Sequence, residues 1–280
     1  MRPDIDRLPT AASARWRVED IEFDRIDHSL IGDEERLFFL VTSASFIEMA
    51  ADVYTGNLVE HYRGDSEATD WLAQYWQHEE VQHGVALREY ARHAWPDFDW
   101  DRAYEAFFRE YSAACTEGEL EVSRALELAA RCVVETGTST YYTMLSEFAE
   151  EPVLRALADR IKRDEVAHYR SFRRLFSRYN GAERQGRLRL IRTLIKRFSE
   201  AESDDAYYAF KHAYTVRYPD RVFGRADFES FVAGINPVFR RHYPYRMAVR
   251  MLLQLLDVHA LLRRAVEPML VAAARRLMFR

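Results

Sequence analysis

A chain of 280 residues, 48% hydrophobic and 14% aromatic, can bury a sizeable core as one large domain or two smaller ones. Its net charge of -5, with acids and bases interspersed, argues against a nucleic-acid partner, which calls for a basic stripe. Two cysteines, Cys115 and Cys132, with no CxxC pair exclude a cysteine-ligated iron centre and make a disulfide scaffold a poor fit, so any electrons the protein uses must come from outside the chain.

Residues 1–32 read as an irregular N-terminal segment, broken by Pro3, Pro9 and Gly32 and lacking the apolar stretch of a signal peptide. Asp33 to Tyr62 carries a helical pattern. Gly64-Asp65-Ser66 interrupts it, and Ser66 or Thr69 is placed to cap the next helix, which runs to Ala94 before Pro96 stops it. A short helix follows from Asp101 to Cys115, then a longer one from Glu119 to Glu147. Pro152 suits the first turn of a fifth helix, which Asn180-Gly181 is expected to end. Residues 181–280 read as a helical extension, with helices near 183–201, 203–217, 225–241, 244–263 and 265–279. With 10 Gly, 8 Pro and no alternating strand pattern, the fold class is all-α: a four-helix bundle over 33–180 with additional C-terminal helices packed on it. No run of about 18 apolar residues stands out. The expectation is therefore a chain with no transmembrane segment, cytoplasmic by default, and a homodimer by the commonness of that state.

The chemistry is concentrated in the bundle. Glu80 and His83 are three residues apart, so both side chains share one helix face. Glu165 and His168 repeat the spacing. Random placement of 26 Glu and 9 His over this length gives about one such pair, so the spacing alone says little. Position says more. Each pair sits in the middle of an apolar stripe: Leu72, Trp76, Glu80, His83, Leu87, Tyr90 in one helix and Leu157, Ile161, Glu165, His168, Phe172, Leu175 in the other. Glu48 and Glu135 interrupt the stripes of the remaining two helices. A buried unpaired carboxylate costs several kcal/mol even after relaxation, by rough estimate, and metal ions are the simplest way to offset that cost. Four carboxylates also balance two divalent cations, and the oxygen and imidazole donors suit iron or manganese. Asp164 and Glu79 each precede a candidate ligand. Because a ligating His commonly donates its second N–H to a carboxylate, Asp164 is expected to support His83 across the bundle. Glu79 is either an equivalent partner or a solvated acid.

The order Glu, Glu-x-x-His, Glu, Glu-x-x-His is similar to the ligand set of the ferritin-like dinuclear carboxylate proteins. Within that superfamily, Trp76-x-x-Glu79-Glu80-x-x-His83-Gly84, followed by Leu87-Arg88-x-Tyr90, resembles the first iron box of the soluble acyl-carrier-protein desaturases. Asp164-Glu165-x-x-His168 resembles the second, and the likeness extends over residues 40–180. Gln82 and Ala167 stand where those desaturases usually carry Arg. The resemblance implies a ferritin-like bundle holding two Fe ions, or a Mn/Fe pair, on Glu48, Glu80, His83, Glu135, Glu165 and His168. It also implies a hydrogen-bonding Thr138 on the oxygen side. The implied reaction is desaturation or hydroxylation of a fatty-acyl or other organic substrate, free or bound to an acyl carrier protein, with dioxygen and an external electron donor. Ferritin- or rubrerythrin-like iron oxidation, peroxide removal and N-oxygenation belong to the same superfamily and stay open. Tyr142 and Trp76 are read as core packing near the metals. The apolar runs 251–256 and 260–262 could line a substrate channel, and the basic residues between Arg184 and Arg197 could face an acidic carrier.

Overall fold

The computed structural model describes residues 15–31, 34–114, 120–200 and 204–279. Pro3, Pro9, Gly32, Asp33, Cys115 and Glu119 lie outside the described residues. Among the described residues there is no strand, and the fold is all-α. The N-terminal segment ends in a one-turn helix, α1 (His28–Ile31). Then come α2 (Glu35–Met49) and α3 (Ala51–His61), one rod interrupted at Ala50. Next, α4 (Ser66–Trp71) passes through a π turn at Leu72–Trp76 into α5 (Gln77–Ala94). After these come α6 (Trp100–Ala114), α7 (Arg124–Phe148) and α8 (Pro152–Glu183). The extension holds α9 (Arg187–Glu200), α10 (Asp204–Arg217), α11 (Arg225–His242), α12 (Tyr245–Leu255) and α13 (Ala260–Leu277).

Side-chain pairings give the helix directions. Phe38 lies against Trp95, and Tyr54 against Trp76, so α2–α3 and α5 are antiparallel. Thr138 bonds Glu165 and Ser123 bonds Glu183, so α7 and α8 are antiparallel as well. His83 meets Asp164 and Tyr90 meets Glu151, which sets α5 against α8 in opposite senses. The chain therefore makes two hairpins, α2–α5 and α7–α8, joined by one long crossover that contains α6. Each hairpin is tightly packed, whereas the backbones of α2–α3 and α7 rarely come within 8 Å of one another.

Packing explains one glycine. A Cβ built on Gly84 would lie 2.5 Å from the Met49 backbone nitrogen and 2.9 Å from its Cα. Only a residue without a side chain lets α5 press this closely on α2, one residue beyond Glu48 and one beyond His83.

Local chemistry shifts several helix ends from their expected places. Asp65, rather than Ser66 or Thr69, caps α4, its Oδ1 accepting the Ala68 N–H at 3.2 Å. Ser123 caps α7, so that helix begins at Arg124 instead of Glu119. Glu151 caps α8 by accepting the Val153 and Leu154 N–H groups, and it also receives the Tyr90 hydroxyl from α5. Asn180-Gly181 does not end α8. The helix continues to Glu183, and Arg184 adopts the left-handed conformation (φ 51°) that terminates it. The expected helix 244–263 is two helices, separated by Asp257 at φ 45°.

Two apolar layers fill the bundle. One gathers Phe38, Phe46, Leu87, Tyr90, Trp95, Phe107 and Leu157, closed by Phe210 and Tyr214 of α10. The other gathers Leu58, Tyr62, Trp71, Trp76, Leu128 and Phe172, closed by Leu190 of α9 and Met251 and Leu255 of α12. The extension is thus part of the core, not an appendage. Met251 and Leu255 are packing residues, while Leu261 and Leu262 face solvent. The segment read as irregular has 3-10 turns at Val18–Asp20 and Phe23–Arg25, and it buries Trp16, Ile26 and Ile31. The rod Glu35–His61 is apolar and long enough to cross a membrane by length and composition, contrary to the sequence expectation. Of its most apolar window, 61% is buried inside the protein.

Candidate metal centre

Between the two apolar layers lies a polar one. It contains Glu48 from α2, Glu80 and His83 from α5, Glu135 from α7, and Glu165 and His168 from α8, all buried. The period-3.6 stripes of the four antiparallel helices bring these residues to one height, because each sits near the midpoint of its rod. They form two overlapping quartets: Glu48, Glu80, His83 and Glu165, and Glu80, Glu135, Glu165 and His168. In each quartet the nearest donor atoms all lie within 4.8 Å of one another. Glu80 and Glu165 belong to both. The six residues expected to meet do meet, and these groups are able to hold a metal ion.

Each imidazole is oriented by a carboxylate from the opposite hairpin. His83 Nε2 lies 3.3 Å from Asp164 Oδ2, and His168 Nε2 lies 2.7 Å from Glu79 Oε2. Both acids are buried, so Glu79 is a partner and not a solvated side chain. With Nε2–H donated outward, Nδ1 of each ring faces the cluster. His83 Nδ1 is 3.0 Å from Glu165 Oε1, and His168 Nδ1 is 2.9 Å from Glu80 Oε1. The alignment of these inward contacts makes no hydrogen bond. His83 Nδ1, His168 Nδ1, Glu80 Oε1, Glu135 Oε2 and Glu165 Oε1 are all buried without a hydrogen-bond partner. Leaving buried polar atoms unsatisfied costs about 1–3 kcal/mol each, more when charged. Five such atoms converging on one point form a donor set that fits cations.

Thr138 and Tyr142 complete the inner surroundings. The Thr138 hydroxyl donates to Glu165 Oε2 while also lying 3.3 Å from the Glu135 carbonyl one turn back. Tyr142, read as packing, donates its hydroxyl to Glu48 Oε1 at 2.5 Å. Trp76 is packing, edge-on to Phe172.

The electrostatics follow from burial. Desolvation pushes the Glu48 and Glu135 carboxyls well above their ordinary range, and the neighbouring Glu80 and Glu165 charges add to the shift. Burial acts in the same direction on Glu165, but contact with His83 and the charge of both imidazoles outweigh it and hold this carboxyl low. Burial also opposes charge on the imidazoles. It is overcome by Asp164 and Glu165 at His83 and by Glu79 and Glu80 at His168, so both titrate well above the usual histidine range. Asp164 is drawn down to about 2: burial would raise it, but His83, Trp16 and Arg15 together prevail.

Arg15 and Trp16 are the site residues that sequence reasoning missed. Arg15 Nη1 donates to Asp164 Oδ1 at 2.7 Å, and Trp16 Nε1 donates to Asp164 Oδ2 at 2.6 Å. The Trp16 ring stacks parallel to His83 with centroids 6.1 Å apart. A lone tryptophan in the polar run Arg15-Trp16-Arg17-Val18-Glu19-Asp20 was the available signal. No protein-family model matches this chain, and no curated protein aligns with it.

Proposed function

We propose that this chain is an oxygen-dependent dinuclear iron oxidase or oxygenase of the ferritin-like type, which desaturates or hydroxylates a fatty-acyl or other organic substrate. The observation that carries the reading is the set of five partnerless donor atoms on residues that form two quartets sharing Glu80 and Glu165. The single long crossover between two antiparallel hairpins is the connectivity of ferritin-like bundles and supports it further. Glu48 and His83 would hold one ion, Glu135 and His168 the other, and Glu80 and Glu165 both. When bound, a ferrous pair supplies electrons to dioxygen and the oxidising power to break an unactivated C–H bond; a Mn/Fe pair is the alternative.

The protein's own part is positional. Asp164 and Glu79 fix the imidazoles with Nδ1 inward and raise their basicity. Tyr142 holds Glu48 on the α7 side, and Thr138 keeps a proton beside Glu165. The two apolar layers exclude bulk water from the site. On this reading, electrons for each turnover come from an external donor, in keeping with a sequence that has two cysteines and no CxxC pair.

The test begins by loading the protein with ferrous iron without oxygen, counting metal, and then admitting air. Two irons per chain and a near-ultraviolet oxo-iron absorption are expected, with both lost in Glu135→Ala and His168→Ala. Fewer than about one metal per two chains, with the fold intact, sinks the reading. Hundreds of irons per particle would indicate iron storage instead.

A further inference from the structure

Two helices of the extension carry apolar residues on more than their core side. In α9, Leu190 and Leu194 pack into the core, while Leu188, Ile191, Ile195 and Phe198 are exposed. The exposed four recur at steps of three, four and three, so they form one stripe along the outer side of the helix. Leu188 is 74% and Ile195 64% exposed. Single exposed aliphatics are ordinary, but a contiguous stripe of them marks a contact surface.

The same arrangement recurs in α13. Val266, Val271 and Ala274 are half-buried, whereas Leu261, Leu262, Ala265, Met269, Ala272 and Ala273 face outwards. Arg187 Nη2 donates to the Asp257 carbonyl at 3.1 Å, so α9 starts beside the turn that leads into α13, and the two stripes leave from one corner of the molecule. Charge distinguishes this corner from the rest of the chain. Five Lys and Arg stand against one acid in α9, and four Arg against one acid in α13, nets of +4 and +3 in a chain whose net charge is -5. The acid of α13, Glu267, is itself paired with Arg250 of α12 at 2.9 Å. Arg189, Arg192 and Lys196 line one edge of the α9 stripe, Lys196 also reaching Glu121, and Arg264 and Arg275 line one edge of the α13 stripe.

We propose that α9 and α13 seat the protein on the surface of an anionic lipid bilayer, lying along the interface and not crossing it. The apolar stripes enter the boundary between headgroups and acyl chains, and the long basic side chains beside them reach the lipid phosphates. A second copy of the chain is a poor occupant, because a two-fold contact sets a patch against itself and would bring two strongly basic surfaces together. The inference stands apart from the metal centre and needs no metal bound.

The test uses the full metal-free chain and vesicles of phosphatidylcholine, alone or mixed with phosphatidylglycerol. Co-sedimentation reads binding, and analytical ultracentrifugation reads the oligomeric state of the protein by itself. Binding to the mixed vesicles is expected to be about tenfold or more tighter than to phosphatidylcholine and to weaken as salt rises. Leu188→Gln/Ile195→Gln and Leu261→Gln/Met269→Gln change exposed side chains. Both are expected to keep the helical circular dichroism and Tm while each loses about tenfold or more in vesicle affinity. Arg189→Gln/Arg192→Gln is expected to lose most of the preference for the anionic lipid. No binding to the mixed vesicles, equal binding to both kinds, or undiminished binding in either apolar variant would overturn the proposal; the last is what attraction by charge alone, as to an acidic protein, would give. A dimer that either apolar variant dissociates would overturn it too, since a second copy would then cover the stripes.

Discussion

The contact between Gly84 and Met49 gives a prediction whose size and sign follow from the structure. In Gly84→Ala the new methyl meets the Met49 nitrogen at 2.5 Å, its Cγ at 2.6 Å and its Cα at 2.9 Å, and two of these three are backbone atoms that cannot swing away. Overpacking of this kind costs about 1–3 kcal/mol, and the better helix propensity of Ala returns about 1 kcal/mol. The net loss is up to about 2 kcal/mol, which for a chain of this length lowers Tm by up to about 8 °C. Gly137 provides the control. It also lies inside a long helix, but a Cβ there would meet nothing within 4 Å, so Gly137→Ala is expected to raise Tm by about 1–4 °C. Thermal unfolding followed by circular dichroism on the metal-free proteins reads both. Shifts of equal sign and size would show that intrinsic propensity alone acts at the two glycines and would refute the packing argument. Because Glu48 and His83 flank the contact, Gly84→Ala is also expected to weaken metal binding, and Gly137→Ala is not.

Three further outcomes follow. Asp164→Asn removes the charge that orients His83 and should lower metal affinity by about 10–100-fold in a chelator competition, while an unchanged affinity would mean that Asp164 only anchors the N-terminal segment. The pH dependence of the metal-free fold has a definite sign. His83 and His168 titrate above the unfolded histidine value of about 6.5, so the stability they lend is present below that pH and lost as pH rises through their folded values. The raised Glu48 and Glu135 act in the same direction from the ordinary glutamate range upwards, so Tm of the metal-free protein should fall above about pH 6.5; a flat or rising profile would contradict this assignment. Metal must displace the protons these groups hold, so loading should release at least about two protons per chain near neutral pH and should tighten as pH rises, as read by calorimetry in buffers of different ionisation enthalpy.

The helices and six converging residues were legible because their signals are local. An i, i+3 pair in an apolar stripe is visible within one helix, and equal spacing between midpoints brings four such helices to one height. Asp164 was legible for the same reason, being adjacent to Glu165. Arg15 and Trp16 were not, because they reach their partner across 149 and 148 positions and no periodic pattern marks a docking loop. Helix ends were misread where competing caps stood side by side: Asp65 prevails over Ser66 because its carboxylate lies three residues before the Ala68 N–H. Asn180-Gly181 carries a stop signal, yet the next turn still finds partners, and Arg184 accepts the left-handed turn instead. The Glu127–Arg131 ion pair went unremarked, because i, i+4 pairs are common on helices and a sequence does not say which of them is buried.

Among the described residues, the strap at Arg15 and Trp16 has no counterpart on the other half of the bundle. Asp164 shares its negative charge among Arg15, Trp16 and His83, whereas Glu79 makes its short 2.7 Å contact with His168. His168 is therefore the stronger electron donor through Nδ1, and His83 the more rigidly held. Two ions bound here would sit in unlike sites despite near-identical ligand sets: they would fill in order, exchange at different rates and respond separately to any change in how Arg15 and Trp16 dock on Asp164.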